Sequence, residues 1–388
     1  MFRTSHIELS LSALKRNIKF MKKHLRPDVV FSSVVKGNAY GHGIRNFVPM
    51  AEKAGIRHFS VYSAGEAYLA HQVHTANSHI MIMGALDNAE VGWAIENDIS
   101  FYVFGTRRLE TAIQDARRIG KKARIHLELE TGLNRMGLKA EALEHAVELI
   151  KANHEHLEIE GFSTHYAGAE SVANYVRVRN QIETYREMVV WLNKQGLEAK
   201  LHHTASSAAV LNYPETVYDM ARVGIAQYGY WPTQETEMLY WRERQGGTMK
   251  LPPNPLRRVI KWVSRVMNIK RLGRGEFVGY GNSFLTTRPS VIAAVPVGYW
   301  HGFSRALSNY GRVLIHGKRA PVVGAVNMNM MMVDVTDCNG VEEGDEVVIL
   351  GKQKKAEITV GSFADLSGML NYETLVRLPS EIPRIEVK

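Results

Sequence analysis

The 388-residue chain has only one cysteine, Cys338, and no long apolar run. A single thiol excludes an intrachain disulfide and any metal site built from several cysteines, and it suits a reducing compartment. No apolar stretch reaches membrane-spanning length, and residues 1–10 contain no apolar segment typical of a secretory signal. These absences predict a cytoplasmic protein that does not associate with membranes.

Acidic residues are outnumbered by basic ones, 39 Asp and Glu against 48 Lys and Arg, which gives a formal net charge of +9. The basic residues are dispersed and form no long block, so nucleic-acid binding has little support beyond the excess charge. An anionic cofactor or substrate explains some of the charge equally well. We therefore expect no nucleic-acid partner, and we predict no metal centre.

The chain is too long for one ordinary hydrophobic core, so we expect two domains. Strand-like apolar runs alternate with helical patterns at 29–35, 59–61, 80–83, 101–104, 125–129, 157–163, 199–202 and 218–223. This alternation predicts an α/β fold, a (β/α)8 barrel of the TIM type, whose active site lies at the C-terminal strand ends. An open doubly wound sheet is the alternative, but no G-x-G-x-x-G follows the first strand.

The pattern changes near residue 241. A proline-rich stretch at 252–255 indicates a linker, and short apolar runs separated by Gly, Asp and Asn follow it. These features predict a barrel domain at residues 10–240 and a mostly β C-terminal domain at residues 241–388.

The first strand-like run of the barrel leads into VVKGNAYGHG at residues 34–43, which contains Lys36. Its three glycines predict a tight loop with close backbone approach. A lysine at a buried strand end is costly unless it is paired or deprotonated, and desolvation makes its amine a nucleophile able to form a Schiff base. An ordinary surface lysine is the alternative, but the glycines, Asn38 and Tyr40 favour a functional one.

Polar motifs recur at the predicted strand ends, namely ETGLNRMG (130–137), THYA (164–167), HHTASSAA (202–209) and MARVGI (220–225). Ser207 and the amides of Gly224 and Ile225 suit a phosphate, because barrels of this kind often bind phosphate after strands seven and eight. Taken alone, Ser207 could equally be a helix cap, His165 a structural histidine, and Arg222 a partner of the neighbouring Asp219.

These motifs continue with VGYGN (278–282), VPVGY (295–299), GAVNMN (324–329) and Tyr372, and together they resemble the alanine racemases, pyridoxal-phosphate (PLP) enzymes of fold type III. The resemblance covers nearly the whole chain. It implies that strand 1–9 joins the C-terminal domain and that the protein is a homodimer with composite active sites. The implied reaction interconverts L- and D-alanine, a small amino-acid substrate, for peptidoglycan precursors.

By this resemblance, Lys36 would hold PLP through a Schiff base and act as one catalytic base. Tyr280 of the other subunit would act on the opposite face of the substrate Cα, and His165 would contact that tyrosine and tune its acidity. Arg222 would face the pyridine nitrogen and disfavour its protonation, because a guanidinium stays charged at any working pH.

The resemblance also assigns binding roles. Arg135 would contact the phenolic oxygen of PLP and the substrate carboxylate, while Met328 and Tyr299 would line the substrate site, with Arg305 beyond them. The PLP phosphate would be held by Tyr40, Ser207, Gly224, Ile225 and Tyr372.

Some positions depart from the family pattern. Glu128 stands where many members have a carbamylated lysine, and we expect its carboxylate to offer Arg135 the same negative charge. Asn327 and Asn329 replace a cysteine and an aspartate, which alters the electrostatics of the substrate entrance and leaves substrate preference open. Ser206 replaces an asparagine, a change that we expect to be minor.

Other functions fit parts of the chain. A racemase specific for serine, or of broader range, has the same motifs and is distinguished only by kinetics. A decarboxylase built from the same two domains would want a cysteine near the substrate, and Cys338 lies in no matching motif. A non-catalytic PLP-binding barrel protein lacks a β domain, so the residues after Trp241 argue against it.

Overall fold

The computed structural model describes residues 4–244, 253–367 and 371–388, and these residues form two compact units. The barrel unit comprises the described residues of Ala13–Lys36 and Phe47–Arg257, and the sheet unit comprises those of Met1–Ser12, Gly37–Asn46 and Arg258–Lys388. Compact units are not the same as independently folding domains, so the domain limits at 10–240 and 241–388 stay a prediction. Residue 252 of the predicted linker lies outside the described residues.

The strands of the described residues are numbered in chain order. They are β1 (Ser5–Ser10), β2 (Val30–Val34), β3 (His58–Ser63), β4 (His79–Ala85), β5 (Ser100–Val103), β6 (Ala123–Glu128), β7 (Leu157–Ser163), β8 (Leu201–His203), β9 (Met220–Val223), β10 (Ile260–Arg265), β11 (Asn268–Leu272), β12 (Ser290–Val295), β13 (Arg312–Ile315), β14 (Lys318–Val323), β15 (Met331–Asp334), β16 (Glu346–Gln353), β17 (Ala356–Ile358) and β18 (Arg384–Val387).

The α-helices connect these strands or follow them. They are Leu11–Lys22, Ile44–Lys53, Ala64–His71, Asn88–Glu96, Thr106–Ile119, Glu141–Ala152, Tyr175–Lys194, Ser207–Asn212, Gln234–Arg244, Val360–Ser367 and Asn371–Val376. Among the residues that the structure describes, none of the helices combines the length and the apolar character that crossing a bilayer requires.

Strands β2 to β9 form a parallel sheet in the order β8-β7-β6-β5-β4-β3-β2-β9. Backbone hydrogen bonds from Asp219 N to His202 O (3.0 Å) and from Arg222 N to Ala205 O (2.9 Å) join the chain at its two ends, so the sheet is a nearly closed barrel. Strands β5 and β9 are buried on both faces, as expected when helices cover a parallel sheet. The predicted (β/α)8 fold is therefore confirmed.

The sheet unit contains, within the described residues, a sheet in the order β11-β12-β15-β14-β13-β16-β10-β1-β18, with β17 paired to β16. Its pairs are antiparallel except that β1 runs parallel to β18. The mostly β character predicted for the C-terminal part is confirmed. The N-terminal strand β1 lies between β10 and β18 in this sheet.

The backbone makes a left-handed turn directly after Lys36. Residues 37–40 have φ values of 50° to 62°, although three of them are not glycine. This conformation costs roughly 1–2 kcal/mol for each non-glycine residue. Hydrogen bonds to Asn38 help to hold it, from Gly43 N to the carbonyl oxygen at 2.8 Å and from Ile44 N to Oδ1 at 2.9 Å.

Candidate active site

Lys36 lies two residues after β2, at the C-terminal end of a barrel strand, where this fold builds its active sites. The strand end itself is buried, while Lys36 as a whole residue is solvent-exposed. Desolvation by the protein around it lowers the pKa of Lys36, and Arg135 and Arg222 lower it further, while Glu66 acts in the opposite direction. A lowered pKa makes the neutral, nucleophilic amine more accessible.

Arg222 is buried in β9, and its guanidinium is held at four N–H groups. NH1 donates to Nδ1 of His203 at 2.7 Å and to the His203 carbonyl at 2.5 Å. NH2 donates to the carbonyls of Thr164 (2.7 Å) and Thr204 (3.3 Å). In the described part of the chain no acceptor contacts Nε, so this N–H is the one left for a ligand.

The alternative role for Arg222, an ion pair with Asp219, does not occur among the described residues. Asp219 instead accepts a hydrogen bond through Oδ2 from the backbone N–H of His202 at 2.7 Å. The arginine is therefore oriented by uncharged acceptors.

A chain of buried histidines follows from Arg222. Because a guanidinium can only donate hydrogen bonds, Nδ1 of His203 must accept one. The proton of the neutral His203 imidazole is therefore on Nε2. Nε2 then donates to Nδ1 of His126 at 2.9 Å, and Nε2 of His126 donates to Oγ of Ser100 at 3.1 Å. Burial, followed by nearby positive charge, lowers the pKa of both imidazoles well below the usual range, so both are neutral.

Glu128, the last residue of β6, is a buried carboxyl group with only 4% of its surface exposed. Its Oε2 atom is buried and has no hydrogen-bond partner among the described residues. Burial raises the pKa of Glu128, and the charges of Arg222 and Arg135 oppose that rise. Because this carboxylate oxygen has no donor in that part of the chain and lies near two cations, it is available to accept a hydrogen bond from an arginine side chain that turns toward it.

Arg135 lies in the loop after β6, and its side chain is exposed. Glu130 shapes this loop, because its carboxylate accepts from the backbone N–H groups of Gly132 at 2.5 Å and Asn134 at 2.9 Å. The loop thus holds the arginine backbone in place while its side chain stays open to solvent.

His165 follows β7, and burial lowers its pKa to about 3, with further lowering by Arg222, Arg135 and Lys36. It is therefore neutral near pH 7. The buried Gln181 holds the His165 loop, since its Nε2 donates to the His165 carbonyl at 3.3 Å and its Oε1 accepts from Ala167 N at 2.8 Å.

The region expected to bind phosphate joins the chain after β8 to the chain after β9. Ser206, not Ser207, is the N-cap of the helix Ser207–Asn212, accepting from Ala209 N at 3.4 Å. Oγ of Ser207 accepts from the backbone N–H of Gly224 at 2.9 Å. Ile225 follows at the start of a 3₁₀ turn.

Two of the predicted residues, Tyr40 and Tyr372, meet in the sheet unit. Tyr40 ends the left-handed turn and is 8% exposed, and Tyr372 lies in the helix Asn371–Val376. Their ring centroids are 6.1 Å apart and their planes are tilted by 49°.

Tyr280, Tyr299 and Met328 also meet in the sheet unit, around an open cavity of about 490 Å³. Backbone bonds from Tyr299 N to Asn327 O (3.0 Å) and from Trp300 N to Met328 O (2.9 Å) lock two of its loops together. Tyr280 is 76% exposed. Among the described residues that line the cavity, Arg305 is the cation, none is a carboxylate, and Asn327 and Asn329 contribute amides.

The chemistry of these groups fits PLP. Lys36 offers an amine to the aldehyde, Nε of Arg222 offers an N–H to a ring nitrogen, and hydroxyl and amide groups suit a phosphate. In the described residues no group of three or more His, Cys, Asp or Glu is arranged to hold a metal ion.

Sequence reasoning assigned no role to His126, His203 or Gln181. The available signal was a polar residue inside an otherwise apolar barrel strand, as at His126, or inside a motif already singled out, as at His203. Gln181 lies in the middle of a long helix and carried no local signal.

Comparison with known proteins agrees with this fold. The family model "Alanine racemase, N-terminal domain" matches residues 9–232, and "Alanine racemase, C-terminal domain" matches residues 259–386. The chain is 32% identical over 384 residues to an alanine racemase of Leptospira interrogans, covering 99% of this chain and 96% of the relative.

Solved structures are equally similar. A crystal structure of alanine racemase from Bacillus anthracis with bound L-Ala-P has a TM-score of 0.89 and 29% identity, covering 100% of this chain and 96% of that one. An alanine racemase from Bartonella henselae with covalently bound pyridoxal phosphate has a TM-score of 0.81 and 25% identity, and 99% of each chain is covered. The chain therefore belongs to the alanine racemase family.

Proposed function

We infer that the protein is a PLP-dependent alanine racemase, which interconverts L- and D-alanine. The observation that carries this inference is that two groups lie at the same end of the barrel. One is the amine of Lys36, whose pKa is lowered, and the other is the buried guanidinium of Arg222, which its hydrogen bonds orient. The family to which the chain belongs supports it.

We propose that Lys36 binds the PLP aldehyde and that Nε of Arg222 donates to the pyridine nitrogen. When bound, PLP supplies the electron-withdrawing group that acidifies the Cα–H of an amino acid. Arg222 moderates this effect, because its fixed positive charge disfavours a proton on the ring nitrogen. The phosphate would be held by Tyr40, Ser207, Gly224, Ile225 and Tyr372.

Racemisation needs a base on each face of Cα. Lys36 would exchange the proton on one face, and its lowered pKa keeps a larger share of the amine neutral. We propose Tyr280 for the other face, supplied by a second copy of the chain. Its 76% exposure in a single copy supports this arrangement, since a proton-transferring group works best where a partner excludes water.

Arg135 would bind the substrate carboxylate, with Met328 and Tyr299 beside the substrate and His165 against the partner's tyrosine. Glu128 would orient Arg135 through its orphaned Oε2, taking the place that a carbamylated lysine has in many relatives. A carboxylate and a carbamate present the same negative charge to a guanidinium.

We further propose that the enzyme acts in the cytoplasm as a homodimer and supplies D-alanine for peptidoglycan. The reducing cytoplasm suits its one unpaired thiol, Cys338. A second candidate is racemisation of serine as well, which is favoured by the amides of Asn327 and Asn329 in the cavity lining, because an amide can hydrogen-bond a side-chain hydroxyl.

The test is a racemisation assay with added PLP, in which L-alanine and L-serine are offered separately and the D-isomers are quantified. Lys36→Ala should lower the rate by at least about 10²-fold, the usual contribution of a catalytic acid or base. Lys19→Ala, an exposed lysine on the helix Leu11–Lys22, is the matched control and should keep full activity. Full activity of Lys36→Ala without added amine would overturn the proposal.

A further inference from the structure

Arg384 is a buried arginine at the start of β18, with 8% of its surface exposed. Its Nε and NH2 groups both donate to the carbonyl of Gly41, at 3.2 and 2.8 Å. NH2 also donates to the carbonyl of Leu378 (3.2 Å), and NH1 donates to those of Pro379 (2.5 Å) and Ile382 (2.6 Å). All five N–H groups therefore end on backbone carbonyls.

Burying the positive charge of Arg384 costs free energy, which indicates that the residue has a specific role. Burial lowers the pKa of Arg384 to about 10, with only Glu381 acting in the opposite direction. A buried charge is sustained only where hydrogen bonds replace its hydration. The planar fork of five donors joins four carbonyls at once, whereas a lysine ammonium offers only three donors.

The bond to Gly41 reaches the end of the left-handed turn at residues 37–40. This turn also packs closely against the helix Asn371–Val376. A Cβ atom added at Gly41 would overlap the carbonyl oxygen of Leu375, and one at Gly37 would lie 3.0 Å from Cγ1 of Val376. Arg384 thus ties the turn to the segment that directly follows this helix.

Arg384 thus holds Gly41, the neighbour of Tyr40, against the segment that follows the helix carrying Tyr372. The rings of Tyr40 and Tyr372 lie 6.1 Å apart. We propose that Arg384 is a positioning residue for the phosphate end of the cofactor site, which it serves by fixing these two tyrosines relative to each other. The inference rests on the proposed function, in which both tyrosines hold the PLP phosphate.

The experiment compares binding of PLP and of pyridoxal, which lacks the phosphate, to the purified protein after cofactor removal. Arg384→Lys should weaken PLP binding by about tenfold or more, because the charge is kept but the fork is lost. Pyridoxal binding should change by less than about twofold. Equal weakening of both ligands, or no weakening of PLP binding, would overturn the proposal.

Arg312→Lys is the matched control, since the exposed Arg312 of the same unit also donates to carbonyls, those of Tyr310 (3.0 Å) and Gly311 (2.9 Å). It should leave both affinities unchanged. If the unaltered protein itself fails to bind PLP more tightly than pyridoxal, the proposed phosphate site is wrong and the inference fails with it, whereas an unaltered PLP affinity in Arg384→Lys alone overturns only the role of Arg384.

A second variant tests the inference independently if Arg384→Lys fails to fold. Asn46 donates through Nδ2 to the backbone carbonyl of Arg384 at 3.1 Å, so Asn46→Ala loosens the same anchor without changing a buried charge. Asn46→Ala should lower PLP affinity less than Arg384→Lys does, and it should leave pyridoxal affinity nearly unchanged. Hydrogen exchange of the amides at 37–43 should quicken in the same variants, and unchanged exchange together with unchanged PLP affinity would contradict the inference.

Discussion

Nδ1 of His203 lies 2.7 Å from NH1 of Arg222, and this contact fixes the protonation of a whole chain of buried groups. The donor-only guanidinium makes His203 accept at Nδ1, which makes His126 accept in turn. Both imidazoles are neutral because burial lowers their pKa values. Arg222 therefore keeps the same partners throughout the pH range in which free histidines titrate.

The charge of Arg222 should set the protonation state of the pyridine nitrogen. Arg222→Gln removes the charge, so we expect the nitrogen to be protonated in the holoenzyme and racemisation to slow by roughly 10²-fold, the scale typical of a lost charged interaction in an active site. Arg222→Lys keeps the charge and should leave the nitrogen unprotonated. ¹⁵N NMR of labelled PLP distinguishes the two, and the same nitrogen signal in both variants would show that Arg222 does not face the ring.

His165 should not titrate in the working range of the enzyme. Its pKa is lowered from the ordinary 6.5 to about 3, so it is neutral on both sides of pH 6.5. We expect the pH profile of kcat/KM to keep its shape in His165→Gln, even where the rate falls. A limb near pH 6.5 that disappears in this variant would contradict the structure.

Glu128 should make stability depend on pH in a specific direction. Burial raises its pKa above the ordinary 4.5, so the folded protein binds this proton more tightly than the unfolded chain. The stability it contributes is complete below pH 4.5 and is lost as the pH rises through the folded-state pKa. Glu128→Gln should therefore flatten the pH dependence of the free energy of unfolding between pH 4.5 and the folded-state pKa.

The measurement for Glu128 is urea unfolding of the cofactor-free protein at a series of pH values. Glu148→Gln is the control, because the Glu148 side chain is 79% exposed and should leave the pH dependence unchanged. The same pH slope in the unaltered protein and in Glu128→Gln would show that burial does not perturb this carboxyl group.

Composite sites predict rescue between two inactive variants, Lys36→Ala and Tyr280→Phe. In a mixed dimer one site carries both substitutions and the other carries neither. Random pairing after reversible dissociation makes half of the dimers mixed, so activity should return to about a quarter of the unaltered level. Mixed dimers that form but stay inactive would show that Tyr280 serves its own subunit or is not the base.

The elements that sequence patterns predict best are those set by local periodicity. The run predicted at 157–163 is β7 (Leu157–Ser163), and the run at 29–35 contains β2 (Val30–Val34). Alternation of such runs with helical patterns is enough to indicate a barrel, because each strand must be buried and each helix must cover it. The motifs at the strand ends were likewise visible as polar residues after apolar runs.

The contacts that orient the site could not be predicted in this way. His126 and His203 are 77 residues apart, and Arg384 and Gly41 are 343 apart. Such pairs arise from tertiary packing, which no local pattern encodes. The glycines predict a tight loop here, but its left-handed extension through Ala39 and Tyr40 contradicts the preference of those two residue types.

The same left-handed turn has a consequence for the order in which parts of the enzyme form during synthesis. Gly41, which directly follows the turn, leaves the ribosome 343 positions ahead of the arginine that holds it, a delay of roughly 20–70 s at ordinary rates of synthesis. During that interval a conformation that costs about 1–2 kcal/mol per non-glycine residue lacks the hydrogen bonds from Arg384. We therefore expect a nascent barrel to display Lys36 before the tyrosines proposed to hold the phosphate are fixed, and stable capture of the cofactor to be one of the last steps of maturation.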